Sequence, residues 1–480
     1  MRADSLLEVY ALSDCTVLKF GGTSVADAAA CARVAGIVRE HGGPRPVVVV
    51  SALARMTDAL FACARAAADG DVAGASRRLD DQLDRHTEIA QALLRPDTAA
   101  GFHEELARAR SHLTGLFGRL GSRSEEAAAL QDEVASFGER LSASLLAAVL
   151  AAAGLPTYAV DARRCIVTDT TYGRANPMPA DTERRTRAEL VPLLDASLVP
   201  VLGGYIAATQ AGRTTTLGRG GSDYSAALVG AALDAREIQI WTDVSGVLTA
   251  DPRVVPAARP IPRLSYAEAA ELAYFGARVL HPKSIQPATD RGIPVRICNS
   301  RAPQDPGTLV DAEPDVRPGA VKAIAHKTGV TVLQVVSSRM LGAYGFLRAL
   351  FEVFDRHRTE VDVVTTSEVS VSLTLEHARA LPAIVSELKS LGDVSVEPDR
   401  AIVCVVGEGL RTTPGVAARI FSTIQDINVS LISQGASRVN LTFVIEEDRV
   451  REAVQQLHAA FFEREPVPVA ADVATGGAAC

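Results

Sequence analysis

Aromatic side chains are scarce, 5% of 480 residues, and Trp241 is the only tryptophan. With so few stacking platforms, an aromatic-stacking binder of single-stranded nucleic acid is excluded. Positive charge is also in deficit: 49 Lys and Arg stand against 57 Asp and Glu, a net −8. That balance disfavours a polyanionic partner over most of the surface but leaves room for a small basic pocket around one phosphate-bearing ligand. Cysteine is sparse and scattered (Cys15, Cys31, Cys63, Cys165, Cys298, Cys404 and Cys480), with no C-x-x-C and no histidine at metal-ligand spacing. Neither a disulfide framework nor a structural metal site is expected, and a reducing, cytoplasmic setting fits. The chain does not open on a basic region followed by a long apolar stretch, and the run Val47 to Val50 is too short to span a bilayer. Neither membrane nor nucleic acid is therefore an expected partner. No Gly-Lys pair occurs, nor His-Arg-Asp, Asp-Phe-Gly or G-x-S-x-G. A P-loop enzyme, a protein kinase and a serine hydrolase of the nucleophile-elbow type lose their support.

What is present is an ordinary globular composition, 48% hydrophobic and 22% charged, in a chain long enough for about three domains at ~150 residues each. A strand at 17–20, a glycine turn, a helix over 26–39 and the valine strand at 46–51 make a β-α-β opening. Residues 57–153, rich in Ala, Leu, Arg and Glu, read as a helical block. Strands at 157–160, 199–202 and 238–241 then alternate with helices, so residues 15–305 are expected to form an α/β domain with a mainly parallel sheet sandwiched by helices. Residues 306–325, with prolines and acidic residues, read as a linker. Two similar units follow at 326–399 and 400–463, each a ferredoxin-like βαββαβ pattern. The Pro-, Ala- and Gly-rich residues 464–480 are expected to be disordered.

Four segments carry chemistry. In the first, Lys19, Phe20, Gly21, Gly22, Thr23 and Ser24 sit where a strand meets a helix; the glycines admit a phosphate and Lys19 adds a cation. A tight packing turn explains such a pair about as often. In the second, Thr214 to Asp223 packs three glycines around Arg219, whose planar guanidinium matches a carboxylate, and ends in Ser222 and Asp223, residues that also make ordinary helix caps. That glycine density favours function. The third segment runs from Trp241 through Thr242 and Asp243 to Asp251, Pro252 and Arg253, starting at a strand end, where α/β proteins place ligands. In the fourth, Phe275 to Pro282, Arg278 is a candidate phosphate ligand, whereas His281 before a proline reads as a turn residue.

Taken together and in order, these segments resemble the aspartate kinases of the amino-acid kinase superfamily, closest to the monofunctional, lysine-sensitive branch; the resemblance covers about residues 16–463. It implies an amino-acid kinase fold followed by two ACT domains, and transfer of the ATP γ-phosphoryl group, as MgATP, to the β-carboxylate of L-aspartate, the entry step to lysine, threonine, methionine and isoleucine synthesis. Such chemistry needs cations and positioning rather than a general base, because the β-carboxylate is already ionised. Carried over by motif, Lys19 steadies the transferring group beside Gly21 and Gly22, and Arg219 holds the substrate α-carboxylate. Glu139, which by itself reads as a helix-surface glutamate, meets the substrate ammonium; Ser51 and Thr57 line the pocket, and Ser222 and Asp223 orient substrate and phosphates. Thr242, Asp243, Asp251, Arg253 and Arg278 bind nucleotide. Leu248 stands where the family often has tyrosine, and Arg278 where it usually has lysine. Magnesium is expected on the nucleotide phosphates, with no metal site built by the protein.

For the regulatory half the resemblance implies a lysine site. Its turn is Met340, Gly345, Phe346 and Leu347; facing it are Val361, Asp362, Thr366, Ser367 and Glu368. Glu360 and Ala343 occupy positions where that branch tends to have serine. It also implies a homodimer joined through the ACT domains. Two rivals stand beside this reading: a kinase of the same fold for another acid, and a non-catalytic amino-acid sensor. Glu139 with Arg219 argues against the first, and Lys19, Arg219 and Asp223 against the second.

Overall fold

The computed structural model describes residues 14–120, 126–276, 280–313, 321–376 and 379–463. The expected tail, 464–480, and Arg278 lie outside them. The chain forms two compact units. The first holds residues through Val247 together with 260–273 and 278–315; the second takes Leu248–Arg259, Tyr274–Ala277 and everything from Val316 onward.

In the first unit, β1 (Cys15–Phe20) is buried along its whole length. It lies mid-sheet with parallel neighbours on both sides, and a strand covered on both faces needs an almost unbroken apolar run. Helix α1 (Ala28–His41) is capped by Asp27, whose carboxylate accepts from the Ala30 N–H at 2.8 Å. It returns the chain to β2 (Arg45–Val50), paired parallel to β1. Four helices follow: α2 (Met56–Ala68), α3 (Val72–Leu93), α4 (Pro96–Leu120) and α5 (Ala127–Ala152). With α1 they pack over one sheet face, where Leu60, Leu79, Leu113 and Phe117 meet Leu18, Phe20 and Val48. The most apolar long segment is thus α5 rather than the valine strand. It is long and apolar enough to cross a membrane, yet 78% of its apolar window is buried inside the protein, so it is a core helix.

The remaining elements are β3 (Thr157–Val160), β4 (Val167–Thr168), α6 (Pro179–Asp195), β5 (Val199–Gly203), β6 (Ile206–Thr209), β7 (Thr214–Thr216), α7 (Gly221–Leu233), β8 (Glu237–Thr242), β9 (Arg263–Ser265), α8 (Tyr266–Tyr274), α9 (Pro282–Asp290), β10 (Val295–Asn299) and β11 (Thr308–Asp311). The main sheet has the order β3-β5-β2-β1-β8-β10-β11-β9, parallel throughout except between β10 and β11. A second sheet, β4-β6-β7, carries the threonine run. Strand β11 corrects the sequence reading: it lies inside the expected linker, 306–325, and joins the main sheet between β10 and β9. Its signal is only four residues, Thr308 to Asp311, placed among prolines in the sequence, too short for a periodicity argument.

The second unit is one antiparallel sheet, β13-β14-β12-β15-β17-β16. Its elements are β12 (Ala323–Val336), α10 (Phe346–Arg356), β13 (Val364–Thr366), β14 (Ser370–Glu376), α11 (Leu381–Leu388), β15 (Asp393–Val406), α12 (Val416–Thr423), β16 (Leu431–Gln434), β17 (Asn440–Glu446) and α13 (Val450–His458). The two repeats are nested rather than consecutive. One end of β12, Val332 to Val336, pairs with Glu397 to Asp393; its other end, Ala323 to Lys327, pairs with Val406 to Ile402 across an irregular register. The second repeat therefore borrows its fourth strand from ahead of the first, inside the expected linker. The cores divide in the same way: Leu333 packs with Phe354, Leu373 and Ile384, and Ile324 packs with Val403, Ile420, Phe443 and Leu457.

This nesting has a measurable consequence. Leu333→Ala and Ile324→Ala each remove buried aliphatic volume and should cost about 2–5 kcal/mol. By hydrogen exchange, Leu333→Ala should loosen β14 and α11, whereas Ile324→Ala should loosen β17 and α13. Loosening of the first repeat by Ile324→Ala would contradict the nested arrangement.

Candidate functional site

Parallel sheets place ligands beyond the carboxyl ends of their strands, and a cavity of about 340 Å³ opens there. Lys19 reaches it from the end of β1, Ser51 from just past β2, and Tyr205 from just past β5. Glu139 enters from mid-α5, Thr57 from the first turn of α2, and Ser222 and Asp223 from the first turn of α7. Lys19 is only 9% exposed and forms an ion pair with Asp223 at 2.6 Å. Gly22 is required by close approach, since a Cβ there would lie 2.7 Å from the Ala52 carbonyl oxygen. Gly21 differs from expectation: its N–H is already donated to the Trp241 carbonyl at 3.2 Å.

Glu139 is the most perturbed group in the cavity. It is 3% exposed, and its Oε1 accepts only long contacts, from the Ala52 N–H at 3.4 Å and the Thr57 hydroxyl at 3.5 Å. Its Oε2 is buried without a hydrogen-bond partner. Burial pushes its pKa up to about 8, against the weaker downward pull of the Ala52 and Thr57 donors. A carboxyl in this state is set to take a cationic ligand group, because only a cation would repay its ionisation.

The glycine run behaves unlike a set of caps. Gly220 is the N-cap of α7, with φ 71° and no side-chain cap bond, and Asp223 turns to Lys19 instead. The first N–H groups of α7 are thus free of side-chain caps beside the cavity, at the positive end of the helix dipole. Arg219 sits between two glycines of positive φ, Gly218 at 76° and Gly220 at 71°. Its side chain is exposed, and no hydrogen bond or ion pair joins it to the described residues. The structure therefore puts Lys19, Ser51, Thr57, Glu139, Ser222 and Asp223 around one cavity, with Arg219 absent from the lining.

Other expected nucleotide ligands are not among the lining residues. Thr242 ends β8, where its carbonyl accepts from Ser300, and Asp243 beside it is exposed. Asp251 and Arg253 belong to the second unit, where the guanidinium chelates the carboxylate at 2.6–3.1 Å.

In the second unit, the Ser337 N–H donates to the Val369 carbonyl at 2.8 Å, bringing the chain just before Met340 against the Thr366, Ser367 and Glu368 turn. Gly345 is the N-cap of α10 with φ 82°, followed by Phe346 and Leu347. Val361 is half-buried beside Asp362. Asp362 is already engaged: Lys327 approaches both its oxygens at 3.2 Å, and the Tyr274 hydroxyl donates to it at 2.6 Å.

Sequence reasoning missed Tyr205, Asp132 and Lys327. Tyr205 walls the cavity with a left-handed backbone, φ 65°, and the pair Gly203-Gly204 just before it was a usable signal. Asp132 is 1% exposed and accepts from Gly173 and Thr216; an aspartate within an apolar helix gave little sign of this. Lys327 stands in a strand without a motif around it.

Comparison with known proteins identifies the family. The model of the amino acid kinase family matches residues 14–299, and an ACT domain model matches residues 403–461. Lysine-sensitive aspartokinase 3 of Escherichia coli (strain K12) is 38% identical over 94% of this chain and 100% of its own length. The crystal structure of E. coli aspartokinase III in complex with aspartate and ADP (R-state) superposes with a TM-score of 0.80 at 38% identity, covering 93% of this chain and 100% of that one. The same enzyme in complex with lysine and aspartate (T-state) gives a TM-score of 0.79 at 38% identity, covering 94% and 100%. The chain belongs to the amino acid kinase family and, within it, to the aspartokinases.

Proposed function

We propose that the cavity binds L-aspartate with its ammonium on Glu139 and its β-carboxylate beside Lys19, in line with the γ-phosphoryl group of ATP. The observation that carries this reading is the buried, unpartnered oxygen of Glu139 in the same cavity as the Lys19–Asp223 pair. Glu139 is bonded to no cation and Lys19 presents one in the same cavity, which suits an amino acid whose far carboxylate reacts. Lys19 neutralises charge on the transferring group, and the uncapped N–H groups of α7 add positive potential without reorganising. Arg219, exposed between its two glycines, takes the α-carboxylate from the rim. Ser51 and Thr57 line the aspartate end, and Ser222 steadies the substrate.

ATP is the phosphoryl donor in this reading, with Thr242, Asp243, Asp251, Arg253 and Arg278 as its proposed contacts and Gly21 and Gly22 shaping the turn beside Lys19. Among the described residues no three His, Cys, Asp or Glu side chains converge on one point. That donor set fits magnesium carried by phosphate oxygens, since this ion commonly needs only one or two protein carboxylates; it would supply charge neutralisation. The enzyme is placed in the cytoplasm, consistent with its buried free thiols.

For regulation we read the loop and turn around Met340, Gly345, Phe346, Leu347, Val361, Asp362, Thr366, Ser367 and Glu368 as a lysine site, supported by the lysine complex of the E. coli relative. Asp362 already accepts one ammonium, from Lys327. The exposed Leu341, Tyr344, Leu347 and Phe351 nearby, with Val364 on the edge strand β13, suit a homodimer formed through the regulatory repeats.

ATP-dependent aspartyl hydroxamate formation tests the reaction. Aspartate should turn over, and succinate, which lacks the ammonium, should not; equal rates would overturn the reading. Because Glu139 must ionise to hold the ammonium, the KM for aspartate should fall about tenfold per pH unit as pH rises toward 8 and level off above it. The linkage to stability has the opposite sense. A carboxyl raised from 4.5 to about 8 binds its proton more tightly in the folded state, so the stability this gives is present at low pH and lost as pH climbs through that window. Glu139→Gln should therefore raise the Tm of the ligand-free enzyme progressively from pH 4.5 to 8 while abolishing the preference for aspartate. Lysine should inhibit, and Asp362→Asn should raise the inhibitory concentration by about ten- to a hundredfold, the loss of one charged hydrogen bond; no inhibition of the parent at millimolar lysine would contradict the regulatory reading.

A further inference from the structure

We infer that Asp132 is a positioning residue for phosphoryl transfer: from the rear of the cavity it sets the glycine turn that carries Arg219, Ser222 and Asp223. Asp132 and Glu139 stand seven residues apart on α5, two helical turns and so on one face. Glu139 faces the cavity, whereas Asp132 has a different set of partners. The Gly173 N–H donates to both its oxygens, at 2.9 and 3.1 Å. The Thr216 N–H and hydroxyl donate to one oxygen each, both at 2.9 Å. Three donors thus converge on a carboxylate that is 1% exposed, and two of them belong to the last residue of β7, just ahead of Leu217 and Gly218.

The surrounding bonds tie this point to the cavity wall. The Thr216 carbonyl accepts from the Ala175 N–H at 2.9 Å, and the Leu217 N–H donates to the Tyr205 carbonyl at 2.9 Å. Tyr205 itself lines the cavity. Gly218 rests on the segment that Asp132 holds: a Cβ there would lie 3.2 Å from Arg174 Cγ and 3.4 Å from the Gly173 carbonyl oxygen. A shift of Thr216 or Gly173 therefore moves Gly218 and, with it, the start of α7. Burial raises the Asp132 pKa, and the Gly173 and Thr216 donors oppose that rise, so the carboxylate is matched to its three donors and to little else.

This inference rests on the aspartate-kinase reading, and its test separates the two. Asp132→Asn keeps the shape but removes the charge: the amide oxygen takes the Gly173 and Thr216 N–H groups as weaker neutral bonds, and the N–H₂ group reverses the bond to the Thr216 hydroxyl, which must turn to accept. Hydroxamate formation should show kcat reduced by ~10–100-fold, with KM for aspartate changed by less than about threefold, the signature of reacting groups misplaced in the transition state. Assays run well below the Tm, with the folded fraction checked by circular dichroism, keep a loss of stability from counting. Thr216→Val removes one of the donors and should cost less; the double variant should be no slower than Asp132→Asn alone, because both act through one network. An Asp132→Asn enzyme with kcat within about twofold of the parent, a loss that tracks only the unfolded fraction, or full additivity of the two substitutions overturns the positioning role alone. A parent inactive on aspartate overturns the reading and the positioning role together.

Discussion

A carboxylate buried without a counter-ion governs the catalytic unit. Glu139 lies in the middle of an apolar helix with one oxygen unpartnered. Burial pushes its pKa up to about 8, so its ionisation in the ligand-free cavity is disfavoured until a cation arrives. In the reading proposed above, an arriving ammonium restores the charge and gains an ion pair in a low-dielectric site, which would make recognition of an amino acid strong and couple it to proton release. The Lys19–Asp223 pair at the end of β1 completes the pattern. Its cation is held in place without substrate, which in the proposed reading leaves little reorganisation for the transition state.

The sheet explains why these groups meet. β1, β2 and β5 are adjacent and parallel, so Lys19, Ser51 and Tyr205 emerge on one edge. α5 crosses that edge with Glu139, and α7 begins there with Ser222 and Asp223. Glycine is essential at two positions for different reasons: Gly22 because the Ala52 carbonyl is too close for a Cβ, and Gly220 because its left-handed backbone starts α7. In the second unit, a single 14-residue strand, β12, serves both repeats. The regulatory sheet is therefore one continuous layer, with β13 and β16 at its edges.

Much of this was legible in the sequence, for physical reasons that differ by residue. Lys19 and the Gly218–Asp223 stretch stood out because glycine density beside a cation is costly for a fold that does not use it. Glu139 did not stand out: an acidic residue in a helix looks like surface, and only resemblance to the aspartate kinases singled it out. Its burial depends on α2, β5 and the Ala52 turn arriving from distant parts of the chain. Asp132 and Lys327 were invisible for the same reason, since each is bonded to partners tens of residues away, whereas the glycine pair ahead of Tyr205 was a signal left unread. That Arg219 would lie outside the cavity lining was not legible, because the two flanking glycines of positive φ set the path of the backbone there. The nested repeat escaped because residues up to 325 read as linker, so the first half of β12 was not seen as a strand at all. β11 was lost because its four residues lie among prolines in the sequence and are too few to show a period.

The most direct test of the central claim is the proton balance of aspartate binding, measured by calorimetry at pH 7 in buffers of different ionisation enthalpy. If Glu139 is neutral in the empty cavity and charged in the complex, binding releases about one proton per site, and Glu139→Gln releases none. A binding enthalpy independent of the buffer would show that Glu139 is already ionised before substrate arrives, and would contradict the account.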